Sequence, residues 1–239
     1  MTHKRPLAPP RLNLLNELRL VTRDVVRFGR ASQSLDVMPR GRGEPVLVIP
    51  ALLTGDEHTY PLRDAIGKLG YSCYGWNAGV NTGVVDRDVT SVGERVQELS
   101  TRHECKVHIV GWSMGGVLAR LAARRMPHLV ASVVTMGSPV VGGAKYSAVA
   151  GYFRYVLGVD NDELALRAET ERAFDVGVPV TALICKDDSW VSPDACVDDS
   201  PSRARNIEVD CSHLMMPYNA QVYGHIAEAL HAGTSSVAL

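Results

Sequence analysis

No stretch of the 239 residues is an unbroken apolar run of signal-peptide or membrane-spanning length. The apolar residues nearest the start, Leu12 to Phe28, are interrupted throughout by Asn, Glu, Arg and Asp, so neither a secretion signal nor a membrane span is expected. The five cysteines (Cys73, Cys105, Cys185, Cys196, Cys211) are odd in number and show no C-x-x-C or other metal-ligand spacing. A disulfide framework and a zinc site are therefore not expected. Reduced thiols in a cytoplasm are the preferred reading, with Cys196 and Cys211 as the pair that an oxidising setting would join. The formal net charge of -1 gives no whole-chain pull toward nucleic acid or a polyanionic substrate. Internal repeats and low-complexity tracts are also missing.

What the chain has is enough apolar material, 46% against 21% charged, for one large core. The reading is a basic leader over residues 1–43 followed by a single domain over 44–239. The leader holds nine Lys or Arg against three acids, which leaves the remainder net acidic. Within it Leu14, Leu18, Val21, Val25 and Phe28 recur at helical spacing, with Arg19, Arg23 and Arg27 off the stripe. Packing of this amphipathic helix on its own domain is favoured over contact with a membrane surface or a second subunit. Pro39 to Gly43 reads as a turn or linker.

Beyond it strands and helices alternate. Pro45 to Pro50 is a continuous apolar run, as a parallel strand buried on both faces requires. Leu62, Ala65, Ile66 and Leu69 predict a helix stopped by Gly70, and Tyr71 to Trp76 predicts a strand. Asp86 or Asp88 is placed to cap a helix with Val89, Val92, Val96 and Leu99 inward. Val130 to Met136, Val180 to Cys185 and Asn206 to Val209 are further strands, and Val222, Ile226 and Leu230 mark a final helix. This order predicts an α/β fold, a mostly parallel sheet with helices on both faces and ligands at the strand carboxyl ends. Between Val140 and Pro179 no strand is evident. Tyr146, Val149, Phe153 and Val156, then Leu164, Ala168 and Phe174, suggest two short helices over 140–179, either a cap over the site or an ordinary crossover.

The most specific motif is Gly111-Trp112-Ser113-Met114-Gly115. It lies where a strand pattern (Val107, Ile109, Val110) gives way to a helical one (Val117, Leu118, Leu121, Ala122). A serine on so tight a strand-to-helix turn projects its hydroxyl from the end of a sheet, and the crowded backbone asks for glycine two positions either side. A serine hydroxyl also needs a base, and the base a group to hold its tautomer. Of the eight histidines only His213 follows a late strand and precedes the last helix, whereas His108 sits inside a strand as a core residue. For the acid, Asp188 and Asp187 compete, and Asp188 is preferred because Val191 and Pro193 after it resemble the D-x-x-V segment that follows the acid in many enzymes with such a serine turn. The oxyanion of a tetrahedral intermediate would be held by backbone N–H groups of Met114 and Leu52, with Ala51 next in line.

These residues resemble the α/β-hydrolase superfamily, in particular its compact bacterial lipase and esterase branch, over about residues 45–231. In that family the oxyanion strand commonly ends in His-Gly or Pro-Gly, where this chain has Pro50-Ala51. The resemblance implies the α/β-hydrolase fold with a small helical cap or crossover insertion after the sixth hydrolase strand. It implies hydrolysis of carboxylic esters through an acyl-serine, with Ser113, Asp188 and His213 catalytic and no metal or organic cofactor. Acyl transfer or thioester cleavage by the same residues is the alternative, and a non-catalytic binding scaffold a third. The partner implied is a small-molecule ester or acyl compound. Trp112, Ala51 and Asn77 are candidate substrate contacts, and Trp76, Tyr152, Phe153 and Tyr155 candidate walls; Asn77 and Asn81 also suit a turn.

Overall fold

The structure, a computed structural model, describes residues 14–28, 35–199 and 204–234. Its centre is built from runs that do not alternate. In β1 (Pro45–Ile49), β3 (Val107–Trp112) and β4 (Val130–Met136) every residue is buried, which only a sheet covered on both faces allows. Six strands, all parallel, run in the order β2-β1-β3-β4-β5-β6, with β2 at Ser72–Gly75, β5 at Val180–Cys185 and β6 at Arg205–Val209.

The period of two along each strand sorts the core into two halves. Val46 and Val48 point to one face, against Leu62, Ala65 and Ile66 of α2 (Tyr60–Lys68) and Val222, Ile226 and Leu230 of α7 (Ala220–Thr234). Leu47 and Ile49 point to the other, against Val89, Val92, Val96 and Leu99 of α3 (Val85–His103) and Leu118, Ala119 and Ala122 of α4 (Met114–Arg125). The chain leaves β1 toward β2 on one side and resumes at β3 on the other. That reversal opens a crevice beyond the carboxyl ends of β1 and β3.

Several boundaries differ from the sequence expectation. Val84, not an aspartate, occupies the N-cap of α3, and Asp86 and Asp88 lie in its first turn. Acids there favour the positive end of the helix, and each is held by an arginine: Asp86 by Arg167, Asp88 by Arg87. Between β4 and β5 the two expected helices form as α5 (Ala150–Tyr155) and α6 (Asn161–Arg172). The first starts later than its apolar pattern because Gly143–Tyr146 makes a single 3-10 turn and Ser147 bridges to Val191 in extended form. Asp160 caps α6 by accepting the N–H of Asp162 at 2.7 Å and of Glu163 at 3.2 Å. Phe174 falls beyond α6 and lies under the Arg124 guanidinium, 5.0 Å from the ring centre.

The leader helix forms as α1 (Leu14–Phe28), but the face it buries is not the apolar stripe. Leu20 and Asp24, at 1% and 2% exposure, face the body, whereas Leu18 and Val25 are 64% and 55% exposed. The side chains of Leu14, Arg27 and Phe28 lie outside the described residues. Polar contacts fix this orientation: Asp24 accepts the Ser212 N–H at 2.7 Å, and Arg23 donates to Asp210 at 2.8 Å. Among the described residues no helix is long and apolar enough to cross a membrane.

Candidate active site

Ser113 occupies the turn between β3 and α4 with φ 53° and ψ -119°, a conformation costing about 1–3 kcal/mol for a residue with a side chain. The two glycines of the motif let the turn form. A Cβ on Gly111 would lie 2.4 Å from the carbonyl oxygen of Gly115, and one on Gly115 would lie 2.4 Å from that of Ile49. Both approaches are to backbone, which cannot swing aside. The turn is thereby packed against the end of β1 and presents Ser113 at the crevice.

There it lines a cavity of about 330 Å³, within the roughly 300–1,000 Å³ usual for small-molecule sites. His213 lines the same cavity. Val117 and Leu121 of α4 line it, as do Val140, Phe153 and Leu164 from the segment between β4 and β5. Three charged side chains also line it: Arg120, buried and ion-paired to Asp198 at 2.7 Å, Arg167, paired to Asp86, and Glu171, paired to Arg124.

Asp188 leaves β5 three residues after its end and is buried. Its Oδ1 accepts the N–H groups of Trp190 and Val191, each at 2.8 Å, which folds the loop back and aims Oδ2 outward. Oδ2 meets His213 Nδ1 at 2.6 Å. An ionised carboxylate only accepts, so this bond places the proton on Nδ1 and leaves Nε2 as the free acceptor. Asp187 is exposed and makes none of these bonds. The histidine loop is braced from behind by the Trp112 indole, whose Nε1–H donates to the His213 carbonyl at 3.2 Å. His108, by contrast, is buried in β3 with Nδ1 2.7 Å from Ser132 Oγ, and burial lowers its pKa to about 4.

The loop after β1 brings Ala51, Leu52 and Leu53 to the cavity. Asn81 holds it in shape: its side-chain amide donates to Pro50 O at 2.9 Å and its carbonyl accepts the Leu53 N–H at 2.7 Å. The Thr54 N–H returns to Ala51 O, and the Leu52 N–H takes part in none of these bonds. Asn81 is thus a turn builder. Asn77 is not brought to the cavity; it is exposed, at φ 58°, with its N–H bound to Asp56 at 3.0 Å. Of the expected aromatic walls, Trp112 and Phe153 line the cavity. Trp76 turns its indole to Gly79 O, Tyr152 reaches Thr82 O, and Tyr155 is exposed.

Sequence reasoning missed Trp190 and Leu214, which line the cavity beside the Asp188 and His213 they follow. Adjacency to an acid or base on a strand-end loop was the available signal. It also missed the approach of Cys185 to Cys211, at 3.2 Å between sulfurs, in place of a Cys196–Cys211 pair. All five cysteines are free thiols. Hydrogen bonding with Cys211 and then burial push the Cys185 thiol well above its ordinary range.

A family profile described as alpha/beta hydrolase fold matches residues 95–216, just over half of the chain. The chain belongs to the α/β-hydrolase fold family. Among curated proteins this hydrolase is similar to the lysosomal thioesterase PPT2 homolog of Drosophila melanogaster, 29% identical over 105 residues. That match takes in 41% of this chain and 36% of the relative, so the chain spans about a third of the length of the curated protein it matches. Among solved structures it is similar to that of the metagenome-derived lipolytic enzymes LipS and LipT, with a TM-score of 0.62 at 12% identity over 83% of this chain and 96% of the other. Bacillus licheniformis lipase BlEst2 in mature form gives a TM-score of 0.59 at 17% identity, over 82% and 94%. At such identities the structural likeness concerns the hydrolase fold.

Proposed function

We propose that this hydrolase cleaves carboxylic esters through an acyl-serine formed on Ser113. The observation that carries the reading is the buried 2.6 Å bond from His213 to Asp188, opening on the same apolar cavity as a serine in a strained strand-to-helix turn. His213 Nε2 takes the Ser113 Oγ proton as Oγ attacks the ester carbonyl. Asp188 holds the ring in the tautomer that makes this possible and stabilises the imidazolium that forms. The Met114 and Leu52 N–H groups receive the oxyanion, charge meeting dipoles already in place. His213 then returns the proton to the departing alcohol, and water, deprotonated by the same ring, releases the acid.

The walls set the acyl group. Val117, Leu121, Val140, Phe153, Leu164 and Trp190 give an apolar lining that an aliphatic or aryl acyl chain would occupy, and the charged residues among them, Arg120, Arg167 and Glu171, are each ion-paired, to Asp198, Asp86 and Arg124. A cytoplasmic setting belongs to the proposal and rests on the free thiols. Turnover of p-nitrophenyl esters of increasing acyl length, with Ser113→Ala prepared alongside, tests it. The wild type should show a chain-length optimum and the variant a loss of about 10⁶-fold. A folded wild type inert on the whole series overturns ester hydrolysis.

A second reading, thioester hydrolysis by the same residues, is favoured by the Drosophila melanogaster relative, a protein named as a thioesterase. Acyl-thioesters followed by released thiol separate the two, since the leaving group alone changes.

A further inference from the structure

We propose that α1 docks the protein on an anionic lipid surface through the stripe Leu18, Val21 and Val25. The argument starts from a mismatch between pattern and packing. A helix whose apolar residues recur on one stripe ordinarily buries that stripe against its own core. Here α1 is attached by a different, largely polar face: Leu20 and Asp24 are buried, Asp24 accepts the Ser212 N–H, and Arg23 reaches Asp210. Those bonds hold the helix in one rotation. That rotation leaves Leu18 and Val25, two turns apart, in water at 64% and 55% exposure, with Val21 half-buried between them.

Charge selects the occupant. Residues 1–43 carry nine Lys or Arg against three acids, in a chain whose remainder is net acidic. A second copy of the chain would set one basic leader against another across a twofold interface, which is repulsive. An anionic bilayer supplies the opposite sign and an apolar layer beneath it. An amphipathic helix lying flat in the headgroup region uses both, the stripe inserted and the basic residues among the lipid phosphates. The helix that would lie on the lipid is also tied to Ser212, the residue before His213. Docking therefore puts the His213 loop close to the membrane surface.

The test is sedimentation of the full chain with vesicles of phosphatidylcholine alone and of phosphatidylcholine with phosphatidylglycerol. The wild type should bind the anionic vesicles and not the neutral ones, and binding should fall as salt shortens the Debye length from about 10 Å at 0.1 M to about 3 Å at 1 M. The double variant Leu18→Ser with Val25→Ser should lose at least about tenfold of that partitioning while melting at the wild-type temperature, since both positions are exposed. Absence of binding to anionic vesicles overturns the proposal, as does equal binding to both vesicle types or undiminished binding by a folded double variant. A wild-type dimer that the double variant converts to monomer, without vesicle binding, assigns the stripe to a second copy instead. None of these readouts depends on ester turnover.

Discussion

His108 and His213 are almost equally buried, at 1% and 4% exposure, yet the protein surrounds them in opposite ways. His108 stands near the start of β3 with two hydroxyls for partners, Ser132 at 2.7 Å and Thr234 at 3.5 Å. Burial disfavours the cation and outweighs the opposing pull of the Glu44 carboxylate, and the pKa falls to about 4. His213 stands beyond the end of β6 with a carboxylate at 2.6 Å and a cavity in front of it. A carboxylate can stabilise an imidazolium where hydroxyls cannot, so the ring beside Asp188 has the surroundings that the proposed proton transfer needs, and the ring in β3 has those of packing. The difference lies in distance from the strand's carboxyl end. A residue near the amino end of a buried strand is enclosed by neighbouring strands and a covering helix, whereas loops beyond the carboxyl ends can bring in an acid from one direction and a ligand from another.

Breaking the His213 side of the comparison gives the largest effect. Asp188→Asn leaves the shape of the loop but offers an amide where the ring needs an acceptor of its Nδ1 proton, and turnover should fall by about 10⁴-fold. Steady-state kinetics on the best ester of the series measures it. A loss smaller than tenfold would move the acid's role elsewhere.

The His108 side is read in stability. Above its unfolded-state value near 6.5 the ring is neutral in both states and contributes no pH dependence. As pH falls from about 6.5 to about 4 the unfolded chain takes up a proton that the folded ring refuses, so folding weakens across that window. A shift of this size corresponds to roughly 3 kcal/mol by pH 4. Urea unfolding at pH 7 and pH 4.5 should show the loss in wild type and a smaller one in His108→Gln; equal losses would show that other groups carry the acid sensitivity.

A smaller effect belongs to the outer brace of the His213 loop. Asp24→Ala removes the acceptor from the fully buried Ser212 N–H, and an orphaned buried donor costs about 1–3 kcal/mol. Thermal melting of Asp24→Ala beside Asp24→Asn, which keeps an acceptor oxygen, should show the larger loss in alanine.

What was legible in the sequence follows this same division. The strands at Val130–Met136 and Val180–Cys185 have the ends their apolar runs predict, because a strand buried on both faces carries its own pattern. The grouping of Ser113, Asp188 and His213 came from strand-end positions and chain order; Ser113 and His213 line one cavity, and Asp188 bonds His213. The burial of α1 was not legible. Its rotation is set by Asp24 meeting Ser212, 188 positions away, and no local period encodes such a contact. Asn77 and Asn81 looked alike in sequence, and only the position of Pro50 O showed that Asn81 builds the turn after β1. The Cys185–Cys211 approach was hidden in the same way, being a consequence of β5 pairing with β6.

The smallest expected effect sharpens the comparison most finely, because it sets two neighbouring carboxylates against each other. Asp187 and Asp188 share a loop, a charge and nearly a position. Asp188 turns inward with its Oδ1 receiving the Trp190 and Val191 N–H groups and its Oδ2 bonded to His213. Asp187, one residue earlier, faces water and lacks those donors. Asp187→Asn should therefore change stability by no more than about 0.5 kcal/mol and turnover by no more than about twofold. The same substitution one residue later removes the proton acceptor of the ring. If both variants lost activity alike, the loop's total charge rather than the Asp188–His213 bond would be what the site requires.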